Sequence, residues 1–77
     1  MNKVRRKKLT DLQSRLCELR DAIESVMYEE QEAYDNLPES LQLSGTGDAM
    51  SDAIDTMRAA IDCLEEAESS LEEAAEV

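Results

Sequence analysis

The chain has 77 residues, a formal net charge of −11, two tyrosines as its only aromatics, and no His, Phe or Trp. That bounds it to one domain with a thin aliphatic core. Without His, a Ser or Cys nucleophile lacks its usual base, and the Glu-x-x-His motif of di-metal bundles cannot occur. No enzyme activity, metal or cofactor is expected.

No apolar run reaches the length of a signal-peptide core or a bilayer span, so the expectation is a cytoplasmic protein with no membrane partner. Cys17 and Cys63 form no CxxC pair and are expected as reduced thiols. The charge is uneven. Residues 1–20 carry seven Lys and Arg against Asp11 and Glu18, whereas residues 21–77 set Arg58 alone against seventeen acids. Such asymmetry points to pairing within the molecule or to a charged partner.

In chain order, the first element is a basic cluster, Lys3, Arg5, Arg6, Lys7 and Lys8, opening a helix predicted over about residues 3–35. Leu9, Leu16 and Ile23 fall at heptad position a, and Leu12, Leu19 and Val26 at d, so both columns are assigned to the helix seam. Met27 and Tyr34 sit at e and widen the stripe, while Glu30 breaks the a column.

Residues 36–47 form the elbow. They contain Pro38, which cannot continue a helix, and Gly45 and Gly47, which read as a loosening of the chain. Asn36 with Glu39 three residues on suits the cap of a short helical turn.

The second helix is predicted over about residues 48–75, with Ser44, Thr46 or Asp48 available to cap it. Met50, Ile54, Met57, Ile61, Leu64 and Leu71 continue a seam interrupted only by Glu68, with Ala75 closing it. Beside it, Ala53, Ala60, Ala67 and Ala74 recur every seven residues and allow a neighbouring helix close approach.

The fold expected is therefore all-α: residues 1–77 as one antiparallel two-helix hairpin of coiled-coil type, with residue i facing roughly residue 81 − i. Leu9 then meets Leu71, Leu16 meets Leu64, and Ile23 meets Met57. Arg5, Arg6 and Lys8 would neutralise Glu72, Glu73 and Glu76. A lone hairpin leaves seam exposed, so a homodimer forming a four-helix bundle is expected.

The segment Glu30-Gln31-Glu32-Ala33-Tyr34-Asp35-Asn36-Leu37-Pro38-Glu39-Ser40-Leu41-Gln42, with the Asn2-Lys3-x-Arg5-Arg6-Lys7 opening, resembles a family of small uncharacterised proteins. These occur in Gram-positive bacteria of the gut type, their phages and mobile elements. The resemblance covers most of the chain and implies a helical hairpin and a genomic setting, with no activity attached. In that family the stretch after Ser-Leu-Gln is often charged, whereas here it is Gly45-Thr46-Gly47.

Three functional readings follow. The first is a protein-interaction module of phage or mobile-element type whose acidic face, Asp55, Asp62, Glu65, Glu66, Glu72 and Glu73, engages a host protein, in its sharpest form as a DNA mimic with an anti-defence role. Acidic helix faces also simply keep small proteins soluble. The second is a hairpin-dimer nucleic-acid-binding regulator using Lys3, Arg5, Arg6, Lys7 and Lys8, which the acidic remainder opposes. The third is a sponge for a small anionic nucleotide, held by the same cluster and by Tyr28 or Tyr34.

Overall fold

The computed structural model describes all 77 residues and is all-helical. Helix α1 spans Lys3–Asp35, a short α2 spans Glu39–Gln42, and α3 spans Gly45–Glu76. The two long helices pack against each other as an antiparallel hairpin, about 58 Å long and 14 by 11 Å across at the Cα level.

Local chemistry sets the helix ends. Asn2 caps α1, its Oδ1 accepting from the Arg5 amide at 2.8 Å. Asn36 is the C-cap of α1 rather than an N-cap, its amide donating to Glu32 O at 3.1 Å. Pro38, extended at ψ 146°, turns the chain into α2. The Gln42 side-chain amide then donates to Tyr34 O at 3.0 Å, tying α2 back to the end of α1.

The second long helix begins at Gly45, three residues before its expected start. Gly45-Thr46-Gly47 forms its first turn instead of a loop. Gly47 is buried, and a Cβ there would overlap the Gln42 backbone, closest at the carbonyl oxygen. Glycine is needed for that close approach of α2 to α3. Ser44 occupies the N-cap position, but its hydroxyl donates backwards to Leu41 O at 2.6 Å and makes no side-chain cap bond.

The core is small and lies nearer the elbow. Met27, Ile54 and Ile61 are buried, with Ile23, Tyr34 and Met57 packed around them. The α3 seam follows the expected residues: Ile54 and Ile61 are buried, and Met57, Leu64 and Leu71 are half-buried. On α1 the seam differs. Leu9, Leu16 and Ile23 are half-buried as expected, but Leu12, Leu19 and Val26 are 43, 56 and 53 % exposed.

The second seam column is e, made of Gln13, Arg20, Met27 and Tyr34. Columns d and e flank a on opposite sides, about 100° apart, so against a single partner helix a rotation that seats one lifts the other towards the rim. The rotation adopted inserts Met27 and Tyr34 beneath α3 and leaves the d column on the rim.

Ile23 and Met57 pack on the same core cluster, as expected. Towards the open end, Leu71 lines a groove with Leu12 and Leu16. The two chain ends meet, the Met1 amine lying 3.0 Å from Val77 O.

Candidate interaction surfaces

No helix of the structure is long and apolar enough to cross a membrane, and no group of three or more His, Cys, Asp or Glu side chains is placed to hold a metal ion. What the hairpin offers is surface, of four kinds.

The first is acidic. Asp62, Glu65, Glu66 and Glu73, with Ser69 and Ser70, line an open groove along the outer side of α3. Asp55 lies one heptad before Asp62 and so continues the same stripe. Glu72 is exposed but turned about 100° from Glu73, outside the groove. Of the six carboxylates expected to form an acidic face, four are thus gathered in one groove, and none takes part in an ion pair.

The second is basic. Lys3, Arg5, Arg6, Lys7 and Lys8 are all exposed. The expected neutralisation by Glu72, Glu73 and Glu76 is not made, since the ion pairs within 4.0 Å involve Arg20 alone. The closest approach of the cluster to the far end of α3 is Arg6, which donates to Met1 O at 3.2 Å and to Val77 O at 3.4 Å. Long exposed side chains gain little from ordering into surface pairs, so their lying apart is unsurprising. Nor do the tyrosines join this cluster. Tyr34 packs on the core, and Tyr28 is exposed some 30 Å along the helix from Lys8.

The third is a polar cluster inside the seam that periodicity alone did not single out. Arg20 Nη1 donates to Glu68 Oε2 at 2.9 Å, and Arg20 Nη2 to Cys17 Sγ at 3.2 Å. Glu68 is buried, so its carboxylate depends on this partner. A hydrogen bond with Glu68, with burial behind it, raises the Cys17 thiol above its ordinary pKa. Burial acts to lower the pKa of Arg20, but the neighbouring Cys17, Glu68 and Asp21 outweigh it and raise the value, holding the cation. The cluster is a structural clasp. Its trace in the sequence was the interruption of the α3 seam by Glu68.

The fourth is apolar. Leu19, Ala22, Ile23, Val26, Met57 and Ala60 line an entirely hydrophobic groove between the two long helices. Leu19 also lines the adjoining groove with Leu12, Leu16 and Leu71, and with Arg15 as its one charged residue, so a largely apolar surface runs from Leu12 to Val26. The opposite side of the seam is covered by Gln13, Cys17, Arg20, Glu24 and Gln31, all half-buried. The hairpin therefore has one apolar broad face and one polar one.

Comparison with known proteins supplies no relative: no family model, no curated protein and no solved structure matches this chain.

Proposed function

We propose that the chain is a non-enzymatic protein-interaction module that works as a homodimer, two hairpins forming a four-helix bundle, with its acidic α3 stripe engaging a basic surface on a host protein. The observation that carries this reading is the stripe itself. Asp55, Asp62, Glu65, Glu66 and Glu73 are exposed and free of ion pairs. They span about 27 Å, with a mean spacing of about 7 Å along the helix axis. One strand of duplex DNA presents a phosphate every 3.4 Å or so, and a basic groove shaped for that backbone attracts such a row. An accessory or anti-defence role in a phage or mobile element fits a small protein that acts by occupying a surface.

The test is capture from a host lysate by the wild-type chain and by a variant carrying Asp62→Lys, Glu65→Lys and Glu66→Lys. A partner retained at low salt, released as salt rises, and lost with the reversed variant supports the reading. Equal capture by both chains, or none, overturns it.

A second reading draws on the basic cluster. Because Lys3, Arg5, Arg6, Lys7 and Lys8 have no carboxylate partners within the hairpin, they are free to meet the phosphates of a nucleic acid or small nucleotide. Filter binding with RNA, DNA and nucleotides, compared with a variant in which Arg5, Arg6, Lys7 and Lys8 become Gln, separates this from the acidic-stripe reading.

A further inference from the structure

We infer that the apolar face is occupied by a second copy of this chain lying antiparallel, elbow against open end, with Leu19 of one α1 meeting Leu19 of the other. The inference rests on the dimer reading above and gives it a surface and a direction.

Two observations carry it independently. The first is the d column. Leu12, Leu19 and Val26 are more exposed than the a and e residues beside them, yet they join Met57 and Ala60 in a largely apolar surface. Ala53 and Ala60 are also exposed, and the seven-residue alanine spacing lets a second pair of helices approach closely. Covering this face removes from water a broad side whose two grooves have Arg15 as their one charged lining residue.

The second observation fixes the direction. The open end, residues 1–8 and 69–77, carries Lys3, Arg5, Arg6, Lys7 and Lys8 against Glu72, Glu73 and Glu76, so it stays net positive, and no ion pair joins the two sets. The elbow end, residues 28–52, carries Glu29, Glu30, Glu32, Asp35, Glu39, Asp48 and Asp52 and no Lys or Arg. Parallel hairpins would set the two acidic elbows side by side. Antiparallel hairpins set each basic cluster beside the other copy's elbow, and the unlike charges attract.

The register follows from the patch. Its midpoint between Leu12 and Val26 is Leu19, so a two-fold axis there pairs Leu12 with Val26 of the second copy, an isologous contact. The same axis sets Arg5 against Ala33 of the second copy, Arg6 against Glu32, and Lys8 against Glu30. The basic cluster and the acidic end of α1 thus coincide without further adjustment. Two faces chosen on hydrophobicity alone need not have produced this match.

The experiment is cysteine cross-linking in the full chain with Cys17→Ser and Cys63→Ser. Leu19→Cys under oxidised glutathione should yield a covalent dimer on a non-reducing gel. Arg5→Cys and Ala33→Cys, each unable to link to itself, should link when the two chains are mixed and allowed to exchange. This second pair lies outside the apolar patch, so it reports even where Leu19→Cys weakens association. A chain that is dimeric by light scattering but links at neither position overturns the antiparallel arrangement and leaves the dimer standing. Linkage of Leu19→Cys to Ala60→Cys in place of itself does the same, and identifies a parallel pair. A monomeric mass at micromolar concentration overturns the dimer and the inference together.

Discussion

The two flanks of α1 have exchanged the environments their composition suggests. The d flank is Leu12, Leu19 and Val26, and it is largely exposed; the e flank is Gln13, Arg20, Met27 and Tyr34, and it packs against α3. A hairpin that had only itself to satisfy would turn the more apolar flank inward, since each buried aliphatic side chain contributes about 1.5–3 kcal/mol. Here Arg20 is matched to Glu68 across the seam at 2.9 Å, which lets the polar flank be buried with its charge compensated. The apolar flank is left on the rim. The intramolecular contact of a small helical protein thus need not take the more apolar stripe.

One charge placed on each flank separates their roles. Ile61→Asp puts a carboxylate into the core and should cost about 4 kcal/mol or more, enough to abolish cooperative melting in a chain this small. Leu19→Asp, on the exposed flank, should leave the helical circular dichroism of the hairpin intact while removing association. If both variants lose helicity alike, the two flanks are not distinct.

The clasp gives the next effect. Glu68→Ala strands the Arg20 guanidinium in the seam, and thermal melts should shift down by about 5 °C or more. The pair Arg20→Met and Glu68→Leu should recover most of that loss, because apolar residues of similar volume avoid the desolvation of both charges. A double variant no more stable than Glu68→Ala would show that the clasp contributes more than a compensated burial.

The two elbow glycines differ in the same way on a smaller energy scale. Gly47→Ala must push α2 from α3 and should destabilise, despite the greater helix propensity of alanine. Gly45, whose Cβ position is open, should accept Ala with a change within about 1 kcal/mol. Urea melts of the two variants measure the difference directly.

The smallest effect is chemical. With its thiol pKa raised by Glu68 and burial, Cys17 stays protonated at a pH where an ordinary thiol has begun to ionise. Iodoacetamide should therefore modify exposed Cys63 first, and Cys17 only as pH rises above the ordinary thiol range. By the same sign, whatever Cys17 adds to stability is present below the unfolded thiol pKa and is lost as pH rises through the folded one. Equal alkylation rates at pH 8 would contradict the clasp geometry.

Much of the fold was legible in the residues. The bounds of α1, the break at Pro38 and the α3 seam follow from periodicity and from one ring that cannot donate an amide. The rotation of α1 was not legible, because a heptad reading assigns the two most apolar columns to one seam, whereas this helix packs a beside e and leaves d on the rim. A signal was present: Met27 and Tyr34 recur seven apart with Arg20 in the same column, and the α3 run is interrupted at Glu68, its ion-pair partner. The start of α3 was misplaced because glycine reads as a breaker from sequence, while Gly47 serves close packing. Four of the six carboxylates named from the sequence gather in one groove, and Glu72 lies outside it because adjacent helical residues diverge by about 100°.

The measurement that bears most directly on the exposed flank as a self-association face is the solution mass of the wild-type chain beside Leu19→Asp, by sedimentation equilibrium at micromolar concentration. The expected result is a wild-type mass twice the 8.6 kDa of one chain and a Leu19→Asp variant at the mass of one, both equally helical. A monomeric wild-type chain, or a Leu19→Asp variant that remains a dimer, would contradict it.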